Sequence, residues 1–374
     1  MGAAGIIFSS LNDGNLSRLT TDRTLAAIPF ACRYRLVDFC LSNMVNAGIS
    51  NICVVANYNY RSLIEHIGSG KDWDLARREN GINMISPFQT MNGCGGKIFS
   101  TKLEALKNMK EYINEFKEEY VILMDSQNIL NIDLKKVLIQ HEKSQAQITV
   151  ITRRIPPEFS SKTPRMLISS VQGNITDIVM GSSYTPKNTE LSLDIFVMKT
   201  EYLRRVIEEA NAYSLTSFTN MILRSYKHSQ YKTYCFEGYV ASVSSFNDYY
   251  RCSMELVKSE KARTSLLFQP NFPIFTRVHN SAPTVHKENA KIENSLIADE
   301  CIIEGTVINS VIFRGVRIGK NAIIKDSVLF HGTYVEENAN LSYIVTDKNV
   351  HVTNSVKLCG NENIPFYVKK GRRV

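Results

Sequence analysis

Three stretches of this chain hold residues of the kind that handle anions or cations. The first is Ser9-Ser10-Leu11-Asn12-Asp13-Gly14-Asn15-Leu16, directly after the apolar run Gly5–Phe8. Loops that follow a buried strand cradle phosphates with bare backbone N–H groups, and glycines let the main chain come close. Here Gly14 is the single glycine, and Asp13 would repel a phosphate. The second stretch is Arg33-Tyr34-Arg35. Two forked guanidinium groups suit a phosphate, or else acidic residues on a neighbouring helix. The third, Asp125-Ser126-Gln127-Asn128, follows the apolar run Tyr120–Met124. A carboxylate there, Asp125 or the later Asp133, could hold Mg²⁺ together with substrate oxygens. Zinc chemistry has no support. None of the eight cysteines forms a C-x-x-C pair, and the seven histidines are dispersed.

The net charge of +8, from 44 Lys+Arg against 36 Asp+Glu, suits phosphorylated small molecules or an acidic partner subunit. These charges are spread along the chain without aromatic interleaving, so nucleic acid is not an expected partner. The densest cluster, Lys369-Lys370-Gly371-Arg372-Arg373, reads as a solvated end. No apolar run approaches the ~20 residues of a membrane span. The N-terminus lacks the basic flank and cleavage site of a secretory signal. A cytoplasmic protein with buried, reduced thiols is the expectation.

The elements that must position these residues follow from the apolar pattern. Gly5–Phe8, Asn51–Ala56, Tyr120–Met124, Gln147–Thr152 and Leu193–Met198 read as strands. Helical patterns over 36–47, 101–116 and 201–210 alternate with them. Strands apolar on both faces, interleaved with helices, predict a doubly wound, mostly parallel α/β sheet over 1–245. Such sheets bind ligands at the carboxyl ends of their strands. Residues 246–284 read as a helix and linker, with prolines from Pro270 to Pro283.

From 285 to 374 the texture changes. Aliphatic residues recur at every sixth position, Ile312, Ile318 and Ile324, then after a one-residue slip Leu329, Val335 and Leu341. A serine followed by apolar residues recurs at Ser295, Ser310, Ser327 and Ser342. Hexads of this kind predict a left-handed parallel β-helix, each side contributing one inward aliphatic residue. A small β-sandwich is the competing fold, but it gives no reason for a six-residue step.

Several motifs together carry a resemblance. Pro29-Phe30-Ala31-Cys32-Arg33-Tyr34-Arg35-Leu36-Val37-Asp38-Phe39, Gly68-Ser69-Gly70-Lys71-Asp72-Trp73-Asp74-Leu75 and Phe236-Glu237-Gly238-Tyr239 resemble segments of the sugar-1-phosphate nucleotidylyltransferases. More narrowly they are similar to bacterial ADP-glucose pyrophosphorylase (glucose-1-phosphate adenylyltransferase), which also carries a trailing β-helix. The resemblance implies a nucleotidyl transfer from ATP to glucose 1-phosphate with Mg²⁺. It also implies that Gly14, Asp125 and Glu237 are remnants of a sugar or nucleotide site.

Measured against that family, the chemistry is depleted. The arginine of the family's glycine-rich loop falls on Asn15, and its phosphate-binding lysine falls on Leu25. Its two metal aspartates fall on Gln127 and Ser242, and the sugar-phosphate lysine is missing from the segment around Ser182. No catalytic residue and no bound cofactor is therefore expected in this chain, with Mg²⁺ belonging to a catalytic partner. The pattern resembles the GlgD-type regulatory subunit, which implies a heterotetramer with a catalytic subunit of the same fold. Arg33 and Arg35 match cations near the family's effector site, which implies a phosphorylated small-molecule effector. Two other classes stay open: a weak adenylyltransferase using Asp125 or Asp133, and a β-helix acyltransferase using His331 or His351. Trp73 is expected to pack at the sheet edge, and Asp38 to brace the helix after Arg35.

Overall fold

The computed structural model describes residues 2–9, 16–77, 79–86, 98–155, 164–182 and 189–374. The opening apolar run forms β1 (Ala3–Phe8), buried throughout. β1 lies between β2 (Asn51–Val55) and β4 (Tyr120–Asp125), parallel to both, and β3 (Gly81–Ile85) extends the set beyond β2. Strands this apolar need cover on both faces. On one face Ile7, Ile52 and Ile122 pack against Val37, Leu41 and Met44 of α1 (Leu36–Asn46). On the other, Ile6 and Val121 meet Leu103 and Leu106 of α2 (Lys102–Asn108) and Leu203 of α4 (Thr200–Ala212). The helical pattern over 101–116 is interrupted at Met109, whose backbone (φ −92°, ψ 8°) separates α2 from the short helix Lys110–Asn114.

Beyond β4 the sheet continues through β9 (Thr189–Lys199), β6 (Ile148–Arg154), β10 (Tyr231–Cys235), β8 (Asn174–Gly181) and β7 (Arg165–Val171). β9 is antiparallel to β4, β6 and β7, and β8 is antiparallel to β10 and β7, so two of the nine strands run against the other seven. A short ladder of β5 (Asn128–Leu130) with β11 (Val240–Ser242) stands beside it.

From Val285 onward, strands of two or three residues stack into three parallel, five-stranded sheets. They form a left-handed parallel β-helix. The hexad residues Ile312, Ile318, Ile324, Leu329, Val335 and Leu341 all point into its core, none more than 1% exposed. The one-residue slip between Ile324 and Leu329 spans a corner, where Asp326 adopts φ +45°.

The serine signature builds a ladder along one corner. Ser295 Oγ accepts from Ser310 N at 3.1 Å, Ser310 Oγ from Ser327 N at 3.2 Å, and Ser327 Oγ from Ile344 N at 3.1 Å. Ser342 does not belong to it. Stacking sets a 17-residue step after Ser327, so Ile344 takes the fourth rung, and Ser342 pairs with Lys325 on another side.

Residues 246–284 do more than connect. Helix α5 (Phe246–Lys258) is wedged between the sheet domain and the β-helix, sharing a core with Leu25, Phe30, Val311 and Phe330. Tyr249 Oη donates to the Pro29 carbonyl at 2.8 Å, and Tyr250 Oη donates to the Asp326 carbonyl at 2.6 Å. A second helix, Glu260–Leu267, precedes the irregular run to Pro283. Among the described residues no helix is long and apolar enough to cross a membrane.

Candidate functional site

The crevice at the carboxyl ends of β1 and β4 is where a sheet of this topology binds its ligands. Gly14 and Asn15 lie outside the described residues. Leu25 sits just behind the crevice, in the 3₁₀ turn Leu25–Ala27, which is tied to the end of β1 by Ala26 N donating to the Ser9 carbonyl at 3.0 Å. Its side chain is 4% exposed and packs into the core shared with Leu16 and Phe30. It brings no charge to the carboxyl end of β1.

Gln127 and Ser242, distant in sequence, are brought together by the β5–β11 ladder. Ser242 pairs with Asn128, and Val243 N donates to the Gln127 carbonyl at 3.0 Å. The Ser242 hydroxyl is committed to Asn128 Oδ1 at 2.7 Å, while Asn128 Nδ2 donates to the Leu193 carbonyl at 2.8 Å. Ser242 therefore shares a face of the ladder with Asn128, Gln127 stands opposite Val243, and neither position carries a carboxylate. Asp125, at the tip of β4, accepts from Gln127 N at 3.1 Å and pairs with Lys102 at 3.1 Å. Asp133 caps α3 (Leu134–Ser144) by accepting from Lys136 N at 2.9 Å. Among the described residues no group of three or more His, Cys, Asp or Glu is arranged to hold a metal ion.

Glu237 is largely exposed, with Arg154 at 3.7 Å. It borders an open cleft of about 610 Å³ lined also by Lys136, Ser170, Glu190 and Tyr234. Ser182 is exposed at the end of β8, next to the undescribed residues 183–188. Trp73 is 1% exposed and sits edge-on to His66 at 5.7 Å, so its ring is part of the core and not a free stacking surface. His66 Nε2 in turn lies 2.6 Å from Asp38 Oδ1, and Asp38 Oδ2 accepts from Arg35 N at 3.0 Å, bracing the start of α1. In the β-helix, His331 Nδ1 is 2.8 Å from the Arg314 carbonyl and His351 Nε2 is 2.6 Å from Glu336.

The two arginines of the Arg33-Tyr34-Arg35 run part company. Arg33 is exposed and lies over the Tyr34 ring, 5.7 Å from its centroid. Arg35 turns inward, where its Nη1 donates to the Ser62 carbonyl and hydroxyl. Burial, aided by Arg23 and Arg277 and opposed by Asp38, lowers its pKa to about 10.

Arg35 belongs to a basic cluster at the junction with the β-helix, most of which the sequence left unseen. Arg23, 3% exposed, pairs with Asp347 at 2.6 Å and lies 5.9 Å from the Phe330 ring centroid. Its Nη1 is buried with no hydrogen-bond partner. Asp347 also accepts from Tyr367 Oη at 2.6 Å. Lys348 follows it, and burial together with Arg35 and Arg23 pushes its pKa down to about 8. Lys370 stands at the rim, 3.4 Å from Asp22. Burial is the leading cause of the Lys348 shift, and the two neighbouring guanidinium groups add to it.

Comparisons with known proteins agree with this architecture. The family model described as "Nucleotidyl transferase" matches residues 12–162, and that described as "GlmU-like, C-terminal hexapeptide" matches 280–363. The class is thus a nucleotidyltransferase domain followed by a hexapeptide β-helix. The chain is 30% identical over 315 residues to the glucose-1-phosphate adenylyltransferase of Mycoplasma mobile, covering 83% of this chain and 81% of the relative. It is 31% identical over 336 residues to that of Clostridium botulinum (strain Alaska E43), covering 88% and 85%. It is also 29% identical over 370 residues to the "Glycogen biosynthesis protein GlgD" of Bacillus subtilis, covering 98% and 95%. The chain belongs to the glucose-1-phosphate adenylyltransferase family.

Proposed function

We propose that the chain is a catalytically impaired, regulatory subunit of glucose-1-phosphate adenylyltransferase in glycogen biosynthesis. It works in the cytoplasm, paired with a catalytic subunit of the same fold that holds Mg²⁺ and makes ADP-glucose and pyrophosphate from ATP and glucose 1-phosphate. Subunits of like fold associate naturally into a pseudo-symmetric heterotetramer.

The observation that carries this reading is the crevice at β1 and β4. Joining two polyanions requires a metal held by carboxylates and cations aimed at the phosphates. Here neither Gln127 nor Ser242 carries a carboxylate, Leu25 is packed in the core, and Asp125 is engaged by Lys102. Metal screening is worth several kcal/mol of transition-state stabilisation. At ~1.4 kcal/mol per tenfold, its loss slows turnover by roughly a thousandfold.

The regulatory part of the reading is supported by the junction of Arg23, Arg35, Lys348 and Lys370. An anion there touches both the sheet domain and the β-helix, so binding is coupled to how the two pack. A phosphorylated small molecule is the class of effector that fits.

The test is direct. The purified chain, given ATP, glucose 1-phosphate and Mg²⁺, should release pyrophosphate at a negligible rate. Mixed with a full-motif catalytic subunit, it should form a larger assembly and change that subunit's response to phosphorylated effectors. Brisk turnover by the chain alone would make it an enzyme in its own right.

A further inference from the structure

A lysine reaches into the crevice at the carboxyl ends of β1 and β4. The Lys102 ammonium reaches over the Phe8 ring, 5.8 Å from its centroid, and meets Asp125 Oδ2 at 3.1 Å. Phe8 and Asp125 are paired neighbours at the carboxyl ends of β1 and β4. A second carboxylate, on β9, favours the charge on the same ammonium without pairing with it directly. It belongs to Asp194, held at φ +55° where the register of β9 against β6 shifts between Ser192 and Ile195. Aspartate is among the few residues besides glycine that adopt a left-handed backbone readily. Arg165 of β7 approaches Asp194 at 4.0 Å, outside hydrogen-bonding range.

The four groups are mostly shielded, with side-chain exposures of 21% for Lys102, 16% for Asp125, 29% for Asp194 and 11% for Arg165. Burial opposes the charge on Lys102, but Asp194 and Asp125 outweigh it and hold its pKa above the ordinary lysine value. Two cations and two carboxylates leave the quartet with no surplus of either sign.

We propose that Lys102 is a resident cation filling a latent divalent-metal site between Asp125 and Asp194, and that it keeps ions of the Mg²⁺ class out of this crevice. The inference rests on the reading of the chain as a catalytically impaired subunit and adds a cause to it. The carboxylates that remain are already neutralised from within. A divalent ion would have to displace the ammonium from Asp125 Oδ2, and the surrounding carboxylate charge is already balanced by Lys102 and Arg165. Taking away the lysine charge leaves two carboxylates facing one arginine, with net attraction for a cation.

Mn²⁺ is the probe, titrated against the full chain and followed by electron paramagnetic resonance of the free ion. The wild type and Lys102→Arg, which keeps the charge, should take up no specific Mn²⁺. Lys102→Met should gain one site, at least ~10-fold tighter than any binding by the wild type. Adding Asp194→Asn to Lys102→Met should abolish it. Lys102→Gln carries the same expectation should Lys102→Met not fold, as judged by circular dichroism. Mn²⁺ uptake by the wild type, a site that survives Asp194→Asn, or no site in a folded uncharged variant would each overturn the proposal. Pyrophosphate release by the unmodified chain is read separately, and it bears on the subunit's function rather than on what Lys102 displaces.

Discussion

Arg23 and Asp347 lie 324 residues apart in the chain and meet at 2.6 Å. Both are almost completely buried, so this ion pair clamps the turn after β1 to the last coils of the β-helix. Tyr367 closes the other side of the carboxylate at 2.6 Å. Such a pair is costly to break from one side, because the survivor keeps a buried charge with nothing to balance it.

Asp347→Ala should accordingly destabilise the chain by about 3–5 kcal/mol. The double substitution Arg23→Met with Asp347→Leu should cost less than Asp347→Ala alone, since it leaves no orphaned charge. Urea unfolding of the three proteins measures both. An Asp347→Ala midpoint equal to the wild type would mean that the clamp contributes nothing.

The anion binding proposed for the same junction should take its pH dependence from Lys348. Its folded pKa of about 8 lies below the ordinary lysine value, with burial as the leading cause. A bound anion favours the charged ammonium, so affinity is full while Lys348 is protonated and falls as pH rises through about 8. Binding takes up a proton in that window. Sulfate, whose own charge is constant there, should bind roughly tenfold more weakly at pH 9 than at pH 7. Calorimetric titration of the wild type and Lys348→Met reads this, and the variant's profile should be flat.

The serine ladder makes a graded prediction. Ser327 is fully buried and supplies the acceptor for Ile344 N while donating to the Lys325 carbonyl at 2.6 Å. Ser327→Ala strands a buried N–H and should cost about 1–3 kcal/mol. Ser295 heads the ladder and is itself partly exposed, so water can take the place of its hydroxyl, and Ser295→Ala should cost about 1 kcal/mol or less. Equal losses at the two positions would count against the ladder.

Adjacent residues of one β-helix strand should respond in opposite ways. Ile324 is fully buried, whereas Ile323 is 41% exposed. Ile324→Ala should lose about 2–5 kcal/mol through the cavity it leaves. Ile323→Ala should stay within about 0.5 kcal/mol. Chemical denaturation of the two single variants checks the register of the whole coil, because a one-residue slip would exchange the results.

Much of this could be read from local pattern. The inward residues of the β-helix were legible because a coil repeats its geometry, so Ile312, Ile318 and Ile324 occupy equivalent places by spacing alone. The pattern failed at Ser342. Its distance from Ser327 matched an earlier step of the repeat, but the coil there takes 17 residues, and only stacking against the neighbouring coil decides which residue takes the rung. The interruption of the predicted helix at Met109 was likewise invisible, since the amphipathic pattern runs on across it.

The sequence by itself determined the mostly parallel sheet and the β-helix that follows. These follow from side-chain periodicity and from motif order, both properties of neighbours along the chain. Tertiary structure alone decided that Lys102 answers Asp125, that Arg35 turns inward while Arg33 stays outside, and that Arg23 and Lys348 share one junction. Long-range charge pairing depends on which surfaces come together on folding, and no spacing within a single chain encodes that distance.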